Sequence, residues 1–443
     1  MLKLIDLVIL HLESDKLGFD VMQFAYQAKT STTMCTWTVN SVVDQFLRNG
    51  TTVYGAAMDM SKAFDMVEWP KLFKTLMDRN VDCIFLRLIL FIYCNQQCNV
   101  KWSGEQSASF SVGNGVRQGG VSSGIFFALY IDGLLKILRK SGLGCRINGI
   151  FYGAVIFADD IFLLSASRNG LQQLVNLCCE FVSSRNLKFG TNADPTRSKT
   201  KCIVFSRKTK SQSLPMNITL NGNKLPWVKQ VKHLGHIIQS DNSMSIDIAQ
   251  KRAGFIAKMN SILQEFHFVN SETLVKLMYS YATTMYGSNT WDLFSKDCEK
   301  LYRSFNVAIR HVFNLHRQTH RYFIESITQS LHLKTLLTSR FVTFYKSLVS
   351  SAKTPVRFLA RISENDQRTV LGKTLSKLLA ITGLREENLD QLSASSVKRY
   401  LRYQPVPEGE QWRIPVCREL IGARENSLDL PGFNHEEIGK MLA

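Results

Sequence analysis

The sequence predicts an α+β protein in which a mixed module of about 240 residues is followed by a helical one. Two observations carry this. Short apolar strands fall only in the first half of the chain, and beyond about Asp247 the apolar periodicity is helical throughout. Strands and helices also fail to alternate regularly enough for a doubly wound parallel sheet.

Residues 1–50 are expected to be largely helical, with Val39, Val42, Val43 and Phe46-Leu47 at helical spacing and Gly50 as the stop. Thr51 to Met58 reads as a strand that ends at Asp59. Residues 70–94 return to helical periodicity, and 97–113 alternate as strands joined at Ser103-Gly104. A long apolar helix is predicted from about Ser122 to Arg139. Gly149 to Ala166 follows as a tight hairpin turning near Ala158-Asp159-Asp160. An amphipathic helix then carries Leu171, Leu174, Val175, Cys178, Phe181 and Val182 on one face. Lys201 to Ser206 is a strand, Asn221-Gly222 a hairpin turn, and Val231 to Ile238 another strand. The last stretch, from about 352, is polar and holds Pro405, Pro407, Pro415 and Pro431.

The 443 residues correspond to two to four domains at roughly 100–200 residues each. The composition is that of a globular chain, which excludes collagenous and low-complexity classes. Lys and Arg number 54 against 36 Asp and Glu, a net charge of +18 that points to a polyanionic partner. Arg87 and Asp159-Asp160 interrupt the best apolar runs, and Asp6 interrupts the start, so neither a spanning helix nor a signal peptide is expected. The expected setting is intracellular, in nucleus or cytoplasm or both. The ten cysteines are scattered. Cys94 and Cys98, or His316 and His320, lack the second pair that a zinc site needs, so free thiols are expected.

Three acids stand out. Asp59 ends one apolar strand, and Asp159-Asp160 occupy the turn of an apolar hairpin. Carboxylates gathered at a sheet edge repel unless a divalent cation lies between them, and hard oxygen ligands suit Mg²⁺. An Asp-Asp pair is also an ordinary turn signal.

Ala56-Ala-Met-Asp-Met-Ser-Lys-Ala-Phe-Asp65 resembles motif A of reverse transcriptases, and Gly115-Val-Arg-Gln-Gly-Gly-Val-Ser-Ser-Gly124 resembles motif B. Phe157-Ala-Asp-Asp160 resembles motif C, Ser198 to Phe205 motif D, and His233-Leu-Gly235 motif E. Gln23-Phe-Ala-Tyr with Ser31-Thr32, and later Tyr286-Gly-Ser-Asn-Thr-Trp291, Ile309 to Phe313 and Thr319-His-Arg321, look like segments of LINE-type polymerases, whose elements lack long terminal repeats. The likeness spans roughly residues 20–350.

The resemblance implies a right-hand polymerase: partial fingers over 1–50, an antiparallel-sheet palm over 51–240 with an interleaved fingers segment at about 70–113, a helical thumb over 241–350, and an extension over 351–443. It implies RNA-templated DNA synthesis from dNTPs on a DNA primer, with two Mg²⁺ ions and no membrane; it says nothing of protein partners. Asp59, Asp159 and Asp160 would hold metal. Phe64 would be a steric gate against the 2′-hydroxyl. Asp65 would be a helix N-cap. Gln118 and Gly119 would lie against the nascent base pair, and Arg117 would contact phosphate or hold its loop. Lys199, with Lys201 as its rival, would approach the triphosphate, and His233-Leu-Gly235 would form the primer grip. Lys296, Lys300, Arg303, Arg310 and Arg317 would form one basic stripe on a single helix and meet duplex phosphates.

The sequence departs from that family at three points. Ser122-Ser-Gly124 replaces the usual Leu-Ser-Pro, Gln27 stands where Arg is frequent, and Met1 falls inside the expected fingers, as in an N-terminally truncated chain. Two rival readings remain at this stage: a remnant that only binds nucleic acid, and an RNA-dependent RNA polymerase. The second usually carries Gly where this chain has Ala158.

Overall fold

The computed structural model describes residues 2–192, 194–207, 217–319, 331–383, 393–395 and 398. His320, Arg321 and the proline-bearing segment beyond 400 lie outside them. The described residues fall into two compact units. The first comprises Met1–Leu234, Ile238–Asn242 and Ser351–Leu359.

Five strands form the main sheet of this unit: β1 (Val53–Asp59), β2 (Ala154–Phe157), β3 (Asp160–Ser165), β4 (Lys201–Phe205) and β5 (Trp227–Val228). Their spatial order is β5-β4-β1-β3-β2. Every pairing is antiparallel except β4 with β5. The central strand is built of small residues for a steric reason. A Cβ at Gly55 would stand 3.0 Å from the rings of Phe162 and Phe205, which come from the two neighbouring strands. Ile161, Phe162, Leu163 and Leu164 of β3 are fully buried, each favouring folding by about 1.5–3 kcal/mol before entropy. Helices Thr32–Arg48 and Arg168–Ser184 pack on the sheet. Ser31 and Ser167 cap them, accepting hydrogen bonds from Met34 N and Gly170 N.

Three expected elements are divided. The helix expected over 122–139 runs as Ser123–Ile131 and Gly133–Lys140. At the break, the Asp132 carboxylate accepts from Asp20 N (2.8 Å) and Arg79 (2.7 Å), and the Phe181 ring lies against Gly133. The helix expected over 70–94 is two helices, Trp69–Met77 and Cys83–Cys94, the second capped by Asp82. The strand expected over 231–238 is interrupted at Leu234-Gly235, both at positive φ (48° and 79°). Residues 1–50 hold two helices, Leu2–Leu12 and Thr32–Arg48, with a non-helical segment between them that the motif-like Gln23-Phe-Ala-Tyr occupies.

The second unit comprises Gly235–Ile237, Ser243–Ser350 and Ala360–Ala443, and its described part is mainly helical, His236-Ile237 being the start of a short strand. Its principal helices are Ser245–Glu265, Lys296–Val312, Leu333–Val349 and Val370–Thr382. Trp291, fully buried, donates from Nε1 to the Asp247 carboxylate (2.9 Å), whose other oxygen accepts from Ile237 N (3.3 Å). The motif-like Tyr286–Trp291 segment therefore organises this unit's own interior.

Candidate active site

Strand register brings the acids together. Asp59, the last residue of β1, lies directly opposite Asp160, the first of β3. Directly opposed residues of an antiparallel pair project to the same face. Asp159 stands one residue earlier, in the two-residue turn that joins Phe157 to Asp160. Ala158 takes the other turn position, in the left-handed region at φ 54°. Burial raises the Asp160 carboxyl to about 6, reinforced by the charges of Asp159 and Asp59. Burial, with a contribution from Asp59, raises Asp159 as well. The mutual repulsion of the three carboxylates would be relieved by a cation bound near them.

The surroundings of Asp59 test whether a metal fits. Its backbone is fixed on both sides: the carbonyl accepts from Gly190 N (2.7 Å), and the amide donates to Thr200 Oγ1 (3.4 Å). Its Oδ2 is buried, with no hydrogen-bond donor in reach. A Cβ at Gly190 would stand 3.1 Å from this oxygen. The Lys199 ammonium stands 3.8 Å away, on a largely exposed side chain. A buried carboxylate oxygen without a donor suits a hard cation. Among the described residues, no three His, Cys, Asp or Glu side chains are gathered closely enough to hold a metal ion by themselves, and that includes the three acids here.

The loop resembling motif B docks on the turn that follows Asp59. Val116 N donates to Phe64 O (2.9 Å), Gly115 N to Val67 O (2.8 Å) and Trp69 Nε1 to Gly115 O (2.8 Å). Gly115 is at φ 88°, and a Cβ there would also press on the Asp65 backbone at 3.0 Å, so both conformation and space call for glycine. Gln118 Nε2 donates to Asp65 Oδ1 (2.9 Å). Asp65 is therefore not the expected N-cap. The next helix begins at Trp69, beyond its reach, with Pro70 in the first turn and Glu68 at the cap position. Phe64 is half-buried, and its ring stacks on buried Phe127 at 4.8 Å and 17°. The Arg117 guanidinium meets Asp6 of the first helix at 2.9 Å, and Asp6 also accepts from Val121 N (3.2 Å). Of the two roles foreseen for Arg117, this contact is the loop-holding one. Gly119 is also at positive φ, 80°.

Sequence reasoning missed the residues around the acid turn. Gln23 Oε1 accepts from Ala158 N (3.1 Å) and Ala25 N (3.0 Å), so one buried amide carbonyl satisfies the strained turn. Its own backbone bridges the edge of β2: Phe24 N donates to Ile156 O (2.8 Å), and Ile156 N to Met22 O (3.0 Å). A Cβ at Gly124 would collide with the Tyr26 ring where it now stands, so a proline here would require that exposed ring to move. Burial and the charge of Asp159 raise the Tyr26 hydroxyl. Only the motif-like run around Gln23 signalled any of this, and it did not say what the side chains hold. His233 packs edge-on against Phe162 at 5.1 Å, two residues along β3 from Asp160.

In the helical unit, Lys296, Lys300, Arg303 and Arg310 lie on helix Lys296–Val312 at spacings that share a face. The helix stops at Val312, so Arg317 is not part of that face, contrary to the continuous stripe expected. Asn314, at φ 48°, turns the chain away. Arg310 is also diverted, donating from Nε and Nη2 to Thr319 O (3.2 and 2.6 Å). Lys296, Lys300 and Arg303 are all exposed, and Lys300 pairs with Asp297 at 3.0 Å.

The model of the family described as reverse transcriptase (RNA-dependent DNA polymerase) matches residues 3–238. The chain belongs to the reverse transcriptase family. Over 180 residues it is 31% identical to a retrovirus-related Pol polyprotein from the type-2 retrotransposable element R2DM of Drosophila melanogaster, a match covering 38% of this chain and 17% of that protein. Over 201 residues it is 26% identical to the Pol polyprotein from a type-1 element R2 of Nasonia vitripennis, covering 44% and 19%. The chain thus spans less than a fifth of the length of either relative. Telomerase of Candida albicans aligns over 100% of this chain and 56% of its own, at 11% identity and a TM-score of 0.39. This reverse transcriptase is of the LINE type, and its antiparallel-dominated main sheet is that of the right-hand polymerase fold. Family membership sets aside the RNA-dependent RNA polymerase reading. Among the described residues, no helix is long and apolar enough to cross a membrane.

Proposed function

We propose that this reverse transcriptase extends a DNA primer on an RNA template, using dNTPs at the sheet edge formed by Asp59, Asp159 and Asp160. The observation that carries this reading is the direct opposition of Asp59 and Asp160 across β1 and β3, with Asp159 in the adjoining turn. The three carboxylates would hold two Mg²⁺ ions, which when bound supply charge for the attacking 3′-hydroxyl and the departing pyrophosphate. Lys199, beside Asp59, brings a mobile ammonium to the phosphate side of the site and can donate a proton to a leaving oxygen. Phe64, braced by Phe127, supplies a flat wall beneath the sugar and disfavours a 2′-hydroxyl. Gln118 and Gly119 present an amide and a bare backbone to the nascent pair, in a loop that Arg117 fixes through Asp6. Lys296, Lys300 and Arg303, with Arg310 and Arg317 in lesser roles, offer positive charge to duplex phosphates. The palm, thumb and interleaved-fingers boundaries foreseen from the sequence belong to this same reading.

The test is primer extension on an RNA template with the wild-type chain and Asp59→Asn. Template-dependent dNTP incorporation by the wild type and none by the variant supports the assignment. Equal incorporation by both removes it. Duplex binding without incorporation by either would leave a protein that only binds nucleic acid.

A further inference from the structure

We infer that Lys353 is a positioning residue for the Ala158-Asp159-Asp160 turn, acting through the segment Val21–Gln27; the inference rests on the proposed role of those acids. Lys353 lies about 190 residues beyond the turn in the chain, yet it belongs to the same compact unit. It is only 4% exposed. An ammonium has three N–H donors, and here all three find oxygens on one segment: Gln23 O at 2.7 Å, Gln27 Oε1 at 2.9 Å and Val21 O at 3.2 Å. The charge also lies over the Phe24 ring at 5.1 Å. Gln27 closes the arrangement from below, donating from Nε2 to the same Gln23 carbonyl (2.6 Å).

Gln23 then carries the constraint onward. Its carbonyl is held by Lys353, and its side-chain oxygen holds Ala158 N. Fixing the backbone of Gln23 therefore fixes where that oxygen meets the turn. The stretch that bears Lys353 is itself tied to the same hairpin, since buried Tyr152, just before β2, donates to Pro355 O at 2.8 Å. The strained turn is thus clamped from both directions. Burial lowers the Lys353 ammonium to about 8, opposed by the charge of Asp20. A buried cation without a hydrogen-bonded carboxylate costs stability, which fits a role in positioning better than one in strengthening the fold.

The test measures amide hydrogen exchange by mass spectrometry on the full chain, so it does not depend on activity. Lys353→Met should raise exchange at least about tenfold in peptides covering both 19–28 and 154–161, and leave the helical unit unchanged. Gln23→Met should loosen 154–161, and within 19–28 only the Ala25 amide, which shares the same acceptor. The double variant should loosen 154–161 no more than Gln23→Met does, because both act on one path. In primer extension, Lys353→Met should lower kcat by about 10–100-fold with duplex Kd unchanged. Unaltered exchange at 154–161, uniform loosening of the whole chain, or additive effects in the double variant would each overturn the inference. Asp159→Asn serves as the separate control: extension that survives it defeats the catalytic reading of the acids, whereas extension lost there but retained in Lys353→Met defeats only the role of Lys353.

Discussion

The acid turn of the sheet and the basic face of helix Lys296–Val312 were both visible as charged patterns in one dimension, but they fold to different degrees of definition. At the turn, each acid is placed by backbone pairing: Asp59 opposite Asp160, and Asp159 in a two-residue turn held by Gln23. On the helix, side chains that share a face by spacing meet different fates. Lys300 pairs with Asp297, Arg310 grips Thr319 O, and the helix ends before Arg317. Strand register fixes chemistry because a one-residue slip would send the side chain to the other face. A helix face fixes only direction. What each charge then does depends on neighbours the spacing does not reveal.

The sharpest way to break this contrast is to substitute at the turn and on the helix in parallel. Asp159→Asn should reduce primer extension by at least about a thousandfold, because the transition state loses charge that nothing nearby replaces. Lys296→Ala with Arg303→Ala should leave single-turnover extension on saturating duplex within about threefold of wild type. Rapid-quench kinetics on both proteins decides it. A large rate loss on the helix, or a small one at the turn, would abolish the distinction.

Phe64 lies between these cases, on a turn after β1 but braced by a ring from another element. Phe64→Val should raise kcat/KM for rNTP relative to dNTP by about 10–100-fold, comparing both nucleotides in both proteins. An unchanged ratio would make the Phe64–Phe127 stack a packing contact only.

The helix itself divides into two groups by the same reasoning. Removing Lys296 and Arg303 should lower duplex affinity and flatten its salt dependence, reducing the slope of log K against log salt by about 1.5–2. Arg310→Ala should change that slope little and instead lower stability by about 1–3 kcal/mol, because Thr319 O loses a charged donor. Binding isotherms at several salt concentrations, alongside denaturant titrations, separate the two outcomes.

What was legible follows the same line. The strand ends, the hairpin around Asp159-Asp160 and the ordered motifs were readable because apolar alternation and turn residues are local signals. The break at Asp132-Gly133 was not, since it depends on Asp20, Arg79 and Phe181. Asp65 was misread as a cap because its actual partner, Gln118, lies 53 residues away. Gln23 and Tyr26 stood in a motif-like run with no role attached, and nothing near Lys353 marked it at all. Each of these residues acts through long-range contact, which a single sequence does not display.

The smallest predicted effect concerns the stability cost of gathering the acids. Asp160 has a carboxyl raised to about 6, by burial first and by Asp159 and Asp59 next. A raised carboxyl means the folded chain keeps that proton to higher pH than the unfolded chain does. Stability therefore falls as pH rises from the ordinary carboxyl range through about 6. In Asp160→Asn this penalty is absent. The variant should match wild type near pH 4 and exceed it at pH 7 by about 1 kcal/mol, the partial exposure of the site reducing the full electrostatic value. Urea denaturation without divalent ions at the two pH values measures the gap. Millimolar Mg²⁺ at pH 7 should then stabilise the wild type more than the variant and narrow the gap, because ion binding to the folded state adds to its stability by mass action. A gap that stays constant with pH would show that the carboxylates do not strain one another. A gap that ignores Mg²⁺ would show that the sheet-edge acids, close as they are, do not bind the ion.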